Sequence, residues 1–275
     1  SLKAAGRNID IIVWPETMVP GILNIDPELL DREIDRLSKE SVRTITDATS
    51  ANLILGGTAI DVRDTNALYF NTAFYFDRHG EYVNRYDKIH LVPFGEFIPF
   101  EKWLSFFSYI VPYTVSLSGG EQRTMFELDT MKDDRYCKFG VIICYEDTVA
   151  PLVRKFRKDG ADFMINITND AWFHDSSELD QHLAVMVFRA VENRISITRA
   201  ANSGISSFIA PNGEIYDYLA NEGKYKEIEG ILCNKIRYEN SVDSWYTNHG
   251  DMFAISCLAV TSVLFLAALR RRIFA

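Results

Sequence analysis

The most apolar uncharged run of the sequence lies close to the C-terminus, and it restricts the possible folds more than any other feature. Residues 252–269 read MFAISCLAVTSVLFLAAL, with Asp251 before them and three arginines, Arg270 to Arg272, after them. A helix of about 20 apolar residues crosses the hydrocarbon core of a bilayer. A buried core helix is the alternative. The arginines favour a transmembrane helix at 252–269, and, because basic residues favour the cytoplasmic side, a cytoplasmic tail at 270–275.

Composition excludes several functional classes for the remainder of the chain. The net charge is −9 over 275 residues, which argues against a nucleic-acid surface, since such a surface needs clustered basic residues. No pair of the four cysteines has the CxxC spacing of zinc or redox sites, so we expect no metal and no cofactor. The part before the transmembrane helix would face the opposite side of the membrane, which predicts a periplasmic location.

Hydrophobic patterning predicts a layered α/β domain over residues 1–245. The opening SLKAAGRN reads as the tail of a helix that leads into a strand, so we expect a C-terminal piece of a longer protein. Predicted strands and helices alternate along the domain, and residues 226–236 are strand-like. The strands are predicted at 9–16, 51–60, 137–146, 161–170 and 195–219, with a hairpin at 68–88, and the helices at 26–49, 149–160 and 177–194.

Three polar side chains each follow a predicted strand. Cys144 ends the apolar run GVIIC, Glu16 follows WP, and Lys88 follows a strand and precedes apolar residues. Taken singly, each has a simpler explanation: a small buried hydrophobe, a glutamate at a surface turn and a snorkelling lysine. Ligand sites in α/β sheets favour the carboxyl ends of strands, so the three side chains can meet at one edge.

The combination of these three side chains suits nucleophilic attack on a carbonyl group. A free thiol has a pKa of about 8.5 and is mostly protonated at neutral pH, so Cys144 needs a base. A buried carboxylate at Glu16 can take that proton. The Lys88 ammonium, with the backbone N–H that follows the cysteine, can stabilise the oxyanion of a thioester-forming step.

The three motifs WPE, YDKIHLVPFGE and ICYED, in this order, resemble the nitrilase superfamily, which is also called the carbon-nitrogen hydrolase superfamily. NITNDAWF, RAVENR, RAANSGIS and the C-terminal apolar run are similar to its branch of apolipoprotein N-acyltransferases. The resemblance covers most of residues 10–215. It implies a four-layer α-β-β-α sandwich followed by one C-terminal transmembrane helix. It also implies a bacterial inner membrane location, and that the domain's first strand and most of its first helix precede this sequence.

The resemblance also assigns roles to individual residues. It implies that Glu16 is the general base, Lys88 stabilises the oxyanion, Cys144 accepts the acyl group and Glu96 is a second active-site glutamate. A further set of four is implied to bind substrate. These four residues are Tyr145, Glu146, Asn169 and Trp172. Ala171 and His174 stand where the resemblance leads us to expect glycines, so the loop that contains them departs from the family pattern.

The leading functional hypothesis is an acyltransferase. Its acyl donor would be a phospholipid, and its acceptor the α-amino group of the N-terminal diacylglyceryl-cysteine of a lipoprotein. The aromatic-rich residues 93–113 are predicted to form a lid at the membrane, although a helix and loop that cover the core are the alternative. Two other hypotheses stay open: a membrane-tethered amidase or nitrilase that uses water as acceptor, and a non-enzymatic binding module.

Overall fold

Two β-sheets and five helices make up the part of the chain that the computed structural model describes, which is residues 8–26, 29, 32–63, 66–99, 116–130, 136–174, 176–237 and 243–274. The strands are β1 (Ile11–Val13), β2 (Val19–Ile22), β3 (Asn52–Arg63), β4 (Asn66–Phe76), β5 (Tyr82–Asp87), β6 (Met125–Asp129), β7 (Tyr136–Ile143), β8 (Phe163–Asn169), β9 (Ser196–Asn202), β10 (Ser207–Ile209) and β11 (Ile215–Tyr218). The helices are α1 (Glu33–Thr49), α2 (Ala150–Lys158), α3 (Glu178–Asn193), α4 (Trp245–His249) and α5 (Met252–Phe274).

The first sheet has the order β1-β3-β4-β5, with β2 also paired to β3. Strands β1 and β2 run parallel to β3, whereas β3, β4 and β5 are antiparallel. The second sheet has the order β11-β10-β9-β8-β7-β6, in which β7, β8 and β9 are parallel. The parallel strands place several carboxyl ends at one edge of each sheet, where side chains that follow them can converge.

Alternation along the strands separates the two faces of the first sheet. One face packs on Val42 and Ile45 of α1, and the other lies in the core shared with the second sheet. Residues of the first set are Leu53, Leu55, Phe74 and Phe76; those of the second are Ile54, Ala73 and Tyr75. The Tyr75 ring packs edge-on against Phe126 and Phe139 of the second sheet, with ring centroids 5.4 and 5.6 Å apart, so the two sheets face each other.

Helices α2 and α3 form the last layer. Helix α2 contacts β7, and α3 contacts β9 and β10. The predicted four-layer α-β-β-α sandwich is confirmed. Two strands, β2 and β6, were not predicted from the sequence. The prediction of a strand-like segment at 226–236 was wrong, because these residues form no strand. The described part of the predicted helix at 26–49 begins at Glu33, and Pro27 lies outside the described residues.

The short helix α4 is fixed to the domain immediately before the apolar helix. Ser244 caps it by accepting a hydrogen bond from Thr247 N at 2.9 Å. The Arg154 guanidinium of α2 donates to the backbone carbonyls of Tyr246 and Asn248, at 2.8 and 3.1 Å. The Asn248 carbonyl is one that the end of a helix leaves without a partner, whereas Tyr246 O also accepts from Gly250 N at 2.7 Å.

Only Gly250 and Asp251 separate α4 from α5. Gly250 adopts φ +61°, and a Cβ atom at that position would lie 3.3 Å from the Arg154 guanidinium carbon. Helix α5 includes the predicted span 252–269 and continues through the three arginines to Phe274. It is long and apolar enough to cross a membrane, and none of its apolar window is buried, unlike a core helix.

Candidate active site

Four strands end beside one another at the predicted site. Glu16 lies three residues after β1, Lys88 directly after β5, Cys144 directly after β7, and Asn169 is the last residue of β8. Strands β7 and β8 are mainly apolar runs that the core buries, and Cys144 and Asn169 stand where they end. Strand β5, with the sequence YVNRYD, is mostly exposed, and only Tyr86 near its end is buried. The structure therefore brings together the three side chains that the sequence singled out.

Glu16 is a buried carboxylate with a partner on each oxygen. Its Oε1 accepts from Asn71 Nδ2 at 2.6 Å, and its Oε2 accepts from the backbone N–H of Asn169 at 2.7 Å. Gly56 of β3 permits this placement, because a Cβ there would lie 2.6 Å from the Glu16 Cα. Burial raises the pKa of Glu16 above its usual value despite Lys88 and these hydrogen bonds. A carboxylate with a raised pKa is suited to accept a proton.

Lys88 is 1% exposed and lies between two carboxylates. Its Nζ donates to Glu96 Oε1 at 2.9 Å and lies 3.6 Å from Glu16 Oε1. Asn71 Nδ2 also donates to Glu96 Oε1, at 2.9 Å, so one amide joins the two carboxylates. Burial opposes the charge of Lys88, but Glu16, Cys144 and Glu96 outweigh it and raise the pKa of the ammonium. Lys88 is therefore a fixed cation.

Cys144 begins a 3-10 turn, Cys144–Thr148, with φ +48°. A non-glycine residue seldom adopts this left-handed conformation, and such residues cluster at functional sites. Burial, together with the charge of Glu16, raises the pKa of its thiol to about 12, although Lys88 and a hydrogen bond from Thr168 act in the opposite direction. The sulfur is thus a thiol at neutral pH, and it needs a base to become a nucleophile.

Glu146 fixes the turn to the segment that contains Lys88. It is fully buried, and its Oε2 accepts from Ile143 N at 2.8 Å. Its Oε1 accepts from Tyr86 Oη and Ile89 N, both at 2.8 Å, and from His90 N at 3.1 Å. Burial raises the pKa of Glu146 to about 7 in spite of these four donors. Each contact is with the protein, so a role in substrate binding stays a prediction.

Of the remaining predicted substrate-binding residues, Tyr145 follows Cys144, and Asn169 and Trp172 lie at and just after the end of β8. Asn169 Oδ1 accepts from Asn202 Nδ2 at 3.0 Å, while the Tyr145 and Trp172 side chains are exposed, Trp172 by 70%. His174 follows in the same loop with φ +48° and ψ −155°, a conformation that favours glycine, so the backbone is glycine-like here although the residue departs from the family pattern. The predicted lid at 93–113 lies mostly outside the described residues.

A buried group of charged residues, which we call the charge quartet, lies directly behind Cys144. It consists of Asp147, Asp170, His182 and Arg199. His182 lies between the two aspartates, with Nε2 2.6 Å from Asp147 and Nδ1 3.0 Å from Asp170. Arg199 is fully buried and lies 2.8 Å from Asp170 and 3.4 Å from Asp147. With His182 protonated, two cations balance two anions.

The charges of the quartet shift the pKa values of its own members. The hydrogen bonds to Asp147 and Asp170 outweigh burial and raise the pKa of His182 to about 9. His182 and Arg199 likewise outweigh burial and lower the pKa of Asp170 to about 2. Both shifts favour the charged forms at neutral pH, as expected for a buried ion-pair network.

The ligand atoms of Cys144, Asp170 and His182 lie within 4.8 Å of one another, a set that zinc can use. Both ring nitrogens of His182 already face carboxylates, however, and the Arg199 guanidinium lies 3.0 Å from Nδ1. A divalent cation placed there would meet a fixed positive charge and would displace an ion pair. These residues therefore do not fit a metal site.

Sequence reasoning missed Asn71, Thr168 and the charge quartet. The signal that could have found them is a polar residue inside an apolar strand, as in YFNTAF, INITN and ITRAA. Such a residue must find a partner when it is buried, so it points to a polar network. The sequence does not show which strands become neighbours, and so it could not identify the partners.

Comparison with known proteins agrees with this architecture. The family model of carbon-nitrogen hydrolases matches residues 1–227. An apolipoprotein N-acyltransferase of Geobacter metallireducens is 36% identical over 269 residues, which is 98% of this chain and 47% of that protein. One from Agrobacterium fabrum is 36% identical over 214 residues, covering 75% of this chain and 37% of that protein. The chain thus spans about half the length, or less, of these curated relatives.

Solved structures with the same fold include an amidase of Nesterenkonia sp. AN1, with a TM-score of 0.55 and 18% sequence identity over 79% of this chain and 78% of that one. That structure shows acrylamide added to the active-site cysteine. Nit3 of Saccharomyces cerevisiae, a member of branch 10 of the nitrilase superfamily, has a TM-score of 0.53 and 22% identity over 78% of this chain and 73% of that one. These similarities support the fold.

Proposed function

Because this chain belongs to the carbon-nitrogen hydrolase family, we propose that it contains the acyl-transfer site of an apolipoprotein N-acyltransferase. The observation that supports the proposal is that the buried Glu16 and Lys88 side chains lie 3.6 Å apart and that both charges act on the Cys144 thiol. Its acyl donor is a phospholipid, and its acceptor is the α-amino group of the diacylglyceryl-cysteine at a lipoprotein N-terminus. Residues 1–245 form the catalytic domain, and 252–269 span the bacterial inner membrane.

In the first half-reaction, Glu16 takes the proton of the Cys144 thiol while the sulfur attacks the ester carbonyl carbon of the phospholipid. The carbonyl oxygen becomes an oxyanion that the Lys88 ammonium stabilises, and Glu96 holds that ammonium in place. The tetrahedral intermediate then collapses. The glycerol oxygen leaves with the proton from Glu16, and the acyl group remains on the sulfur as a thioester.

In the second half-reaction, the lipoprotein amine attacks the thioester carbonyl carbon. Glu16 now accepts a proton from the amine nitrogen and returns it to the Cys144 sulfur as the carbon–sulfur bond breaks. The products are an amide and the free thiol, so the enzyme is regenerated. The scheme is ping-pong, since the lysophospholipid leaves before the amine reacts.

Exposed apolar side chains near the site favour a lipid donor over a small polar amide. Large hydrophobic residues on a surface form patches that usually serve binding. Five large apolar side chains lie within a few residues of a site residue along the chain, and each is at least 39% exposed. They are Met18, Phe94, Tyr145, Trp172 and Phe173. An amidase that hydrolyses soluble substrates gains nothing from such a rim. The proposed orientation places this rim on the periplasmic side, with the tail at 270–275 in the cytoplasm.

The test is to incubate the chain, in detergent, with a phospholipid that carries a labelled acyl chain. We expect a hydroxylamine-labile adduct on the peptide that contains Cys144. Cys144→Ala should abolish it, whereas the double variant Cys233→Ala/Cys257→Ala, which lacks the exposed thiols, should retain it. Absence of an adduct would contradict the proposal and favour a binding module.

A second incubation tests the acceptor. When a diacylglyceryl-cysteine peptide is added to the acylated protein, the label should appear as an amide on that peptide. Release of the label as free fatty acid, at a rate that the peptide does not change, would instead identify a hydrolase. That outcome is the amidase-type alternative.

A further inference from the structure

The Thr168 hydroxyl lies next to both the charge quartet and Cys144. It donates to Asp170 Oδ1 at 2.7 Å, and the pairing of Ile143 with Ile167 in the parallel strands β7 and β8 places Thr168 beside Cys144, where it acts to lower the pKa of the thiol. Thr168 is fully buried, and so are Asp170 and Arg199. A buried hydroxyl between a carboxylate and a thiol therefore has two possible partners for its single proton.

Because the two partners compete for one proton, the protonation state of the sulfur decides which of them receives it. While Cys144 is a thiol, the hydroxyl donates to the Asp170 carboxylate, as the structure shows. When the sulfur becomes a thiolate, it becomes a strong acceptor close to the same hydroxyl. Rotation about the Cβ–Oγ bond is then enough to redirect the proton to the sulfur.

The quartet makes that rotation inexpensive. Asp170 loses one hydrogen bond when the hydroxyl turns away, but its Oδ1 keeps His182 at 3.0 Å and its Oδ2 keeps Arg199 at 2.8 Å. A buried carboxylate with two charged partners does not become an unpaired charge. A Cβ on Gly204 would lie 2.0 Å from Asp170 Oδ2, so the backbone also confines this carboxylate.

We propose that Thr168 is a further catalytic residue, whose hydroxyl turns from Asp170 to the sulfur and stabilises the Cys144 thiolate. Asp170, His182, Arg199 and Asp147 are positioning residues that hold the hydroxyl in reach. The inference rests on the proposed function, because it takes Cys144 as the nucleophile. It adds a hydroxyl donor to the groups that act on the sulfur, besides Glu16 and Lys88.

The test uses the reactivity of the thiol itself, so it does not depend on phospholipid turnover. The chain is treated with iodoacetamide between pH 7 and 10, and alkylation of the Cys144 peptide is followed by mass spectrometry. The groups that face the sulfur, namely Glu16, Lys88, Asp170 and His182, are the same in each variant. Thr168→Val keeps the shape of the side chain and removes the hydroxyl, and Thr168→Ser keeps the hydroxyl.

We expect Thr168→Val to alkylate about 10-fold more slowly at each pH, which is the effect of losing one hydrogen bond to a charged acceptor. Thr168→Ser should alkylate at the wild-type rate. The matched control is Thr198→Val on β9, which removes a buried hydroxyl without a hydrogen-bond partner among the described residues, and it should not change the rate. If the valine variant does not fold, Thr168→Ala replaces it, because it also removes the hydroxyl and should slow alkylation in the same way.

A merely structural role for Thr168 predicts the opposite result, since a loosened site exposes the sulfur and speeds its alkylation. An unchanged or faster rate in the folded Thr168→Val or Thr168→Ala variant would overturn the inference. If Thr168→Val slows alkylation but no acyl adduct forms from phospholipid in the wild-type chain, the inference about the thiolate stands and the proposed substrate fails.

Discussion

Two buried carboxylates, Glu16 and Asp170, both act on the Cys144 thiol, and their own pKa values shift in opposite directions. Glu16 shares the Lys88 ammonium with Glu96, and burial raises its pKa. Asp170 shares two cations, His182 and Arg199, with one other carboxylate, that of Asp147, and its pKa falls to about 2. One cation lies between two carboxylates around Glu16, whereas two cations contact two carboxylates around Asp170. That difference determines which carboxylate can accept a proton from the thiol.

The largest expected effect is on the proton acceptor. Glu16→Gln keeps the size of the side chain but removes its basicity, and it should slow acylation of Cys144 by a factor of about 10² to 10⁴. Single-turnover measurement with labelled phospholipid detects this change. Glu40→Gln, an exposed substitution on α1, should have no effect. A Glu16→Gln variant with more than a tenth of the wild-type rate would remove the distinction between the two carboxylates.

Asp170→Asn should act mainly on stability. The substitution leaves Arg199 and His182 buried with one anion instead of two, and breaking a buried ion-pair network costs about 3 to 5 kcal/mol of unfolding free energy. Denaturant titration of the chain measures it. The control is Asp47→Asn, an exposed aspartate on α1, for which the change should stay within about 0.5 kcal/mol. A loss as small as that control would show that the quartet is not a structural unit.

The quartet also predicts how stability changes with pH. The pKa of His182 is about 9 in the folded protein against 6.5 ordinarily, so its contribution is complete below pH 6.5 and is lost as the pH rises through 9. We expect the unfolding free energy to decline over that window. His182→Gln should flatten the decline while lowering stability at neutral pH. A wild-type curve that stays level from pH 6.5 to 9 would contradict the assignment of a charged His182.

The smallest effect is expected at the rim of the site. Trp172→Ala removes an exposed indole from the proposed lipid contact, and it should lower kcat/KM for phospholipid about 5- to 10-fold. The thiol should react with iodoacetamide as in the wild type. Phe188→Ala on α3 is a matched control, since that ring is 62% exposed and lies outside the site. Equal effects of the two variants would mean that general surface hydrophobicity, rather than the rim, governs lipid use.

The comparison also shows what the sequence can and cannot predict. The strand ends before Glu16 and Cys144 follow from apolar runs in the sequence, whereas β5, which precedes Lys88, is polar and mostly exposed. The structure places Lys88 between Glu16 and Glu96, and the catalytic roles of these residues stay predictions. The quartet could not be predicted, because His182 on α3 and Arg199 on β9 meet only through the order of the second sheet. Strands β2 and β6 were missed since each is short, at 4 and 5 residues. Residues 226–236 have a strand-like pattern, but Asn234 and Lys235 contact β11 through side-chain hydrogen bonds and not through a backbone ladder.

The connection between α4 and α5 has a consequence for how the enzyme would meet its substrates. Two residues reach at most about 7 Å, and Arg154 prevents α4 from unwinding to lengthen them. In the proposed arrangement, this short connection therefore holds the catalytic domain at one height above the bilayer. A substrate must reach that height to react. An ester or amine that lies deeper in the bilayer therefore does not reach the site, however well it would bind there.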